Sequence, residues 1–84
     1  MAIYRLFFKP SAIKELRAVP ISIQQKIDER IRRLAESPRP TDCTKLTGYD
    51  AYRIRVGDYR VIYLVDDKEH FVRILKIRTS TRSV

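Results

Sequence analysis

The chain has 84 residues, of which 44% are hydrophobic and 33% are charged, a composition typical of one folded domain and not of a disordered segment. Eighteen lysines and arginines against ten acidic residues give a net charge of +8, which favours an anionic partner such as nucleic acid, an acidic protein or an anionic membrane surface. A single cysteine excludes an internal disulfide, no apolar run is long enough to span a membrane, and the first residues lack a signal-peptide pattern. We therefore expect one domain over residues 1–84 that acts in the reducing cytoplasm.

The first part of the chain predicts a strand and a helix. Residues 2–8 alternate around β-favouring side chains, as strands do. Pro10 and Ser11 are helix-start signals, and Pro20 ends the helix that follows them. The apolar face predicted for this first helix comprises Ala12, Ile13, Leu16 and Val19.

A second helix is predicted over residues 23–36. Ser22 and Gln25 have the spacing of a capping box, in which each side chain bonds to the backbone of the other residue. The apolar stripe predicted for this helix comprises Ile27, Ile31, Leu34 and Ala35. Residues 37–44 contain two prolines two positions apart and predict a loop.

The sequence YRIRVGDYRVIY, residues 52–63, predicts a β-hairpin around a tight Gly-Asp turn, because apolar and polar residues alternate on both sides of it. The face expected to be buried comprises Tyr52, Ile54, Val56, Tyr59, Val61 and Tyr63. The other face carries Arg53 and places Arg55 directly opposite Arg60. Like charges in opposite positions destabilise a sheet, so we expect an anion to bind there.

A turn after the hairpin leads to a last predicted strand over residues 70–78. The basic residues of this strand and of the polar tail beyond it are Arg73, Lys76, Arg78 and Arg82. The order of one strand, two helices and three antiparallel strands predicts an α+β fold, with both helices on one face of a twisted sheet. The arginines are then expected on the open face.

The residue types favour phosphate binding over the other site chemistries. No group of histidine, cysteine and carboxylate residues has metal-ligand spacing and no glycine-rich phosphate loop is present, so we expect neither a metal nor a cofactor. Guanidinium groups hold phosphate through paired hydrogen bonds and stay protonated. Such a surface could cut RNA without a metal, because RNA supplies its own 2′-hydroxyl nucleophile. The alternative is that the arginines only keep an open sheet face soluble and block edge pairing.

The segments KLTGYDAYRIRVGDYRVIYLVDD and VRILKIR resemble the RelE/ParE superfamily of toxins from toxin–antitoxin pairs, and the resemblance covers essentially the whole chain. RelE-type members enter the ribosome and cut messenger RNA in the decoding site, without metal, by attack of the 2′-hydroxyl. ParE-type members inhibit DNA gyrase through protein–protein contact. Both types carry versions of this pattern, and the RelE-like function is the leading interpretation.

The resemblance also implies roles for individual residues. Arg53 and Arg55 match positions that hold and activate the RNA, and Arg60 matches the position that contacts the scissile phosphate. The predicted catalytic residues are Arg60, Arg55, Arg53 and Arg82, and the predicted RNA-binding residues are Lys45, Arg53, Arg55, Arg73, Lys76 and Arg78. Ser80 and Val84 stand where the family has a further arginine and a tyrosine or similar proton-transfer group, which predicts weakened cleavage.

The partners implied by the resemblance are a small acidic RelB-like antitoxin and the ribosome with its messenger RNA. No membrane and no small-molecule cofactor is expected.

Overall fold

In the part of the chain that the structure describes, one strand is followed by two helices and four further strands. The structure, a computed structural model, describes residues 3–46, 48 and 50–79. Its elements are β1 (Arg5–Phe8), α1 (Pro10–Arg17), α2 (Ile21–Leu34), β2 (Thr44–Lys45), β3 (Ala51–Val56), β4 (Tyr59–Asp66) and β5 (Phe71–Thr79). This order confirms the predicted α+β architecture. Neither of these helices combines the length and the apolar character that crossing a membrane requires.

The five strands form one mixed sheet in the order β1-β5-β4-β3-β2. β1 runs parallel to β5, and β3, β4 and β5 form the predicted antiparallel meander. β2 lies outside the predicted pattern, which had a loop up to residue 44, because a strand of two residues is too short to show alternation. It forms by pairing with β3, where Thr44 lies opposite Arg53 and Lys45 opposite Tyr52.

The hairpin of β3 and β4 has the register that its sequence predicts. Its pairs are Tyr52 with Tyr63, Arg53 with Ile62, Ile54 with Val61, Arg55 with Arg60 and Val56 with Tyr59. Gly57 begins the tight turn with a φ of 60°, a conformation that glycine adopts without steric cost. The turn therefore fixes which side chains of the hairpin share a face.

The core lies between the helices and one face of the sheet. The buried apolar side chains of this core on the helix side are Ala12, Val19 in the turn between the helices, Ile27, Ile31 and Leu34, and those of the sheet are Tyr52, Ile54, Val56, Val61, Tyr63, Val65, Val72, Ile74 and Ile77. This confirms the predicted buried face of the hairpin, in which Tyr59 alone is half-buried. All other predicted members are buried.

Two local predictions for the helices are wrong. Ile13 is 38% exposed, because α1 faces the core with Ala12 and Leu16, which are four positions apart, and Ile13 lies about 100° around the helix from Ala12. The capping box is absent, since α2 begins at Ile21 with Pro20 as its N-cap and no side chain caps that end. Gln24 instead donates from Nε2 to the carbonyl oxygen of Val19 at 2.8 Å and so joins α2 to the end of α1.

Candidate functional site

A row of three arginines crosses the open face of the sheet. Arg60 on β4 lies opposite Arg55 on β3 and, on its other side, opposite Arg78 on β5. Directly opposed residues of antiparallel strands have Cα atoms about 5 Å apart, so three positive charges stand side by side. The ion pairs found among the described residues involve other arginines, namely Arg30, Arg32 and Arg39. The row is therefore a concentrated site for a bound anion.

Beside this row is an open hollow of about 320 Å³, which we call the arginine hollow. Its lining consists of Asp42, Thr44, Arg53, Arg55 and Arg60. Arg53 and Arg60 are half-buried, whereas Arg55 is exposed. The unpredicted strand β2 supplies one wall, because Thr44 pairs with Arg53 and shares its face of the sheet. The structure thus brings together the three arginines that the sequence singles out as a site.

Asp42 is a member of this site that sequence reasoning missed. It lies in the loop between α2 and β2, and its Oδ2 accepts a hydrogen bond of 2.8 Å from Nη2 of Arg30 on α2. Its side chain is 54% exposed. The loop sequence has no periodic pattern that would place Asp42 beside the arginines, because its position depends on contacts with distant residues.

The loop that carries Asp42 is fastened to the sheet by buried and exposed hydrogen bonds. The hydroxyl of Tyr63, a fully buried side chain, donates to the carbonyl oxygen of Pro38 at 2.7 Å. Burial raises the pKa of the Tyr63 phenol, so this hydroxyl stays protonated as a donor. The next residue, Arg39, donates from Nε to the hydroxyl of Tyr52 at 2.9 Å. These bonds hold the loop against the strands of the hairpin.

Arg39 also takes part in a cluster of polar side chains that we call the clasp, formed by Arg39, Asp67 and Tyr4. Asp67 accepts a hydrogen bond of 2.6 Å from Arg39 and one of 2.7 Å from the Tyr4 hydroxyl. These two donors lower the pKa of the Asp67 carboxyl, with Arg39 as the larger cause. The clasp therefore ties the loop to Tyr4, which directly precedes β1, and to the turn before β5.

A β-bulge in β5 turns its basic residues toward the open face. Ile62 pairs with Lys76 but Tyr63 pairs with Ile74, so Leu75 is an extra residue in the ladder. Simple alternation would place Arg73 and Arg78 on opposite faces, because they are an odd number of positions apart. With the bulge, both lie on the open face, opposite Leu64 and Arg60 respectively.

At the β1 edge, the open face carries arginines beside aromatic rings. Phe7 and Phe71 contact edge to face with ring centroids 5.6 Å apart. The guanidinium of Arg73 lies 5.2 Å from the Phe71 ring centre, and that of Arg5 lies 5.8 Å from the Phe7 ring centre. Cations at these distances are attracted by the ring faces, so the arginines are held close to the sheet.

Among the described residues, the predicted position Lys45 lies away from the arginine hollow. Lys45 pairs with Tyr52, a residue of the buried face, and therefore lies on the other side of the sheet from the arginines. Its role in RNA binding stays a prediction. Arg82, Ser80 and Val84 lie outside the described residues. Among the described residues, no group of three or more His, Cys, Asp or Glu is placed to hold a metal ion.

The site combines groups with complementary chemistry. Its guanidiniums can donate several hydrogen bonds to phosphate oxygens, and they cannot accept a proton. Asp42 supplies an oxygen acceptor on the same hollow. The arrangement can therefore bind a phosphodiester and accept a proton beside it.

Comparisons with known proteins show the family to which the chain belongs. A family model described as the ParE toxin of type II toxin–antitoxin systems (parDE) matches residues 6–84. The chain is 30% identical over 83 residues to the mRNA interferase toxin RelE of Escherichia coli K12, covering 95% of this chain and 86% of that protein.

The fold is similar to that of solved RelE structures. A chain of the archaeal RelE–RelB complex from Pyrococcus horikoshii OT3 is 32% identical with a TM-score of 0.83, covering 99% of this chain and 100% of that chain. The isolated E. coli RelE toxin is 30% identical with a TM-score of 0.84, covering 95% of this chain and 87% of that chain. The family match and these similarities over nearly the full length show that the chain belongs to the RelE/ParE superfamily of toxins from toxin–antitoxin systems.

Proposed function

We propose that this toxin is a RelE-like endoribonuclease that cuts messenger RNA in the decoding site of the ribosome and thereby inhibits translation in the cytoplasm. The observation that carries the proposal is the row of Arg55, Arg60 and Arg78, which places like charges opposite one another beside an open hollow. Such a row is unfavourable in the free protein and favourable once phosphate groups bind to it.

The proposed roles follow from the positions of the arginines. Arg53 and Arg55 line the hollow on β3 and hold the phosphates of the strand. Arg60, at the centre of the row, contacts the scissile phosphate and stabilises the additional negative charge of its pentacoordinate state. Lys76 and Arg73 follow on the same face along β5 and would bind the phosphates of the strand as it leaves the hollow.

The same basic face is proposed to bind a RelB-like antitoxin. The net charge of +8 favours fast association with an acidic partner. The similar structures include RelE–RelB complexes, among them the intact E. coli RelBE toxin–antitoxin complex. An acidic antitoxin on the arginine row would relieve the repulsion within it and would compete with RNA.

Primer extension on programmed ribosomes tests the cleavage. We expect the unmodified chain to cut the message in the decoding site, and Arg60→Ala to cut about 100- to 1000-fold more slowly at an unchanged fold, because it lacks the central donor. Arg32→Ala is the matched control, since it removes one arginine from the exposed surface of α2 and should cut like the unmodified chain. Equal cutting by the unmodified chain and Arg60→Ala would overturn the assignment of the site.

Inhibition of DNA gyrase is a second candidate, because the family model that matches the chain bears the name of the ParE toxins. In that case, growth inhibition would follow DNA-damage signals while translation continued. Purified chain that leaves messages on ribosomes intact and blocks DNA supercoiling by gyrase would favour this function over the first.

A further inference from the structure

The arginine hollow contains one carboxylate, Asp42, whose purpose the binding of phosphate does not explain. A negative charge beside a phosphate site weakens phosphate binding by simple Coulomb repulsion. Arg30 nevertheless holds this carboxylate at the hollow with a hydrogen bond of 2.8 Å to Oδ2. An ionised carboxylate has about four acceptor positions, so this bond leaves others that a bound molecule can use.

Attack by a 2′-hydroxyl requires a group that accepts its proton, and the arginines cannot be that group. A guanidinium has five N–H donors, no acceptor, and does not lose its proton in proteins. Among the described residues that line the hollow, Asp42 and Thr44 carry side-chain oxygens that accept hydrogen bonds. A neutral hydroxyl is a much weaker base than an ionised carboxylate, which leaves Asp42 as the acceptor.

On these grounds, and resting on the proposed function, we infer that Asp42 is the general base of RNA cleavage in the arginine hollow. Asp42 takes the proton of the 2′-hydroxyl while that oxygen forms a bond to the adjacent phosphorus. The bond from phosphorus to the 5′ oxygen of the next nucleotide breaks, and the electron pair stays on that oxygen. A water molecule donates a proton to this oxygen and becomes hydroxide, which is neutralised by the proton that Asp42 releases. The products are a 2′,3′-cyclic phosphate and a 5′-hydroxyl, and Asp42 returns its proton to solvent.

A different role for Asp42 would be to offset the positive charge of the arginines, and the two roles give opposite results on substitution. If Asp42 only offsets charge, Asp42→Asn binds RNA more tightly and cuts it at least as fast. If Asp42 is the base, Asp42→Asn still binds RNA but cannot accept the proton. The amide oxygen of the asparagine can still accept the hydrogen bond from Arg30, so the loop should keep its position.

The test is single-turnover cleavage on programmed ribosomes by the unmodified chain, Asp42→Asn, Asp42→Glu and the control Asp28→Asn. Asp28 also pairs with an arginine, Arg32, at 3.0 Å, but it lies on α2 away from the hollow. In parallel, the affinity of each variant is measured for ribosomes whose message has a 2′-deoxynucleotide at the cut site and cannot be cleaved. Thermal unfolding of each variant checks that it is folded.

We expect Asp42→Asn to lower the cleavage rate at saturation by about 100-fold or more and to leave affinity for the deoxy message equal or higher. Asp42→Glu should recover part of the rate, and Asp28→Asn should behave like the unmodified chain. Cleavage by Asp42→Asn at the rate of the unmodified chain would overturn the inference while leaving the proposed function intact. An unmodified chain that cuts no message would overturn the proposed function and this inference with it.

Discussion

The two faces of the β3–β4 hairpin differ in what their cross-strand pairs contribute to the free energy of unfolding. On the helix side, the pair of Ile54 and Val61 is almost completely buried and removes apolar surface from water. On the open side, the next pair along the hairpin is Arg55 and Arg60, whose charges repel. The same two strands thus combine a face that stabilises the fold with a face whose opposed charges destabilise it and which we propose to bind phosphate.

This contrast teaches which residues of a small toxin are constrained by folding and which by its ligand. A chain of 84 residues buries a limited apolar surface, so the helix-side face has little tolerance for change. The open face, in contrast, can lose its charges without loss of core. Substitutions on the two faces should therefore separate stability from activity.

The largest expected effect is on the buried face. Ile54→Ala should lower the free energy of unfolding by about 2 to 5 kcal/mol, because it removes buried methyl groups and leaves a cavity. Ile62→Ala is the matched control on the opposite face of the same hairpin, where the side chain is half-buried, and should cost less than about 2 kcal/mol. Denaturant unfolding measures both variants, and equal losses would contradict the distinction between the faces.

A smaller effect of opposite sign is expected on the open face. Arg60→Gln should raise the free energy of unfolding by about 0.2 to 1 kcal/mol, because it removes the repulsion with Arg55 and Arg78. Arg32→Gln removes the same charge but also breaks an ion pair with Asp28. It should therefore lower the free energy of unfolding by about 0.3 kcal/mol. Denaturant unfolding at low salt measures both changes, and salt should reduce both. A lower free energy of unfolding for Arg60→Gln would show that repulsion within the arginine row does not destabilise the fold.

The smallest effect concerns the clasp, which ties the loop between α2 and β2 to Asp67 and Tyr4. Because the pKa of Asp67 is lowered in the folded state, folding favours its ionised form. The resulting stabilisation is present above the ordinary pKa of the carboxyl and is lost as the pH falls through the folded-state value. Asp67→Asn should therefore lower Tm at pH 7, and the difference from the unmodified chain should shrink at strongly acidic pH.

Asp50→Asn is the control for that experiment, because it removes the same charge from the same end of the sheet. Thermal unfolding followed from pH 7 to pH 2 provides the comparison. If the difference in Tm between Asp67→Asn and the unmodified chain stayed constant with pH, the clasp would not depend on the ionised Asp67 carboxylate.

The parts of the structure that the sequence predicts are those that local rules determine. The tight turn and the alternation around it are enough to predict every pair from Tyr52–Tyr63 to Val56–Tyr59, because a two-residue turn fixes the register. Ile27, Ile31 and Leu34 of the predicted stripe of α2 are buried as the helical period predicts, whereas Ala35 is the C-cap of the helix and is half-buried. The arginine row on β3 and β4 is a direct consequence of that register.

The parts that the sequence does not predict depend on contacts between distant residues. β2 has two residues and forms only because β3 is there to pair with it. The bulge at Leu75 adds Arg78 to the row, and its only sign in the sequence is that the buried residues Val72, Ile74 and Ile77 break a strict alternation. Asp42 reaches the hollow through the loop and Arg30, for which no periodic pattern exists.

The most direct test of the central claim, that the open-face arginines serve RNA cleavage at the expense of stability, compares the unmodified chain with Arg60→Gln on programmed ribosomes. The expected result is that the unmodified chain cuts the message in the decoding site, whereas the more stable Arg60→Gln cuts it about 100- to 1000-fold more slowly. Equal cutting by both proteins, or no cutting by either, would contradict it.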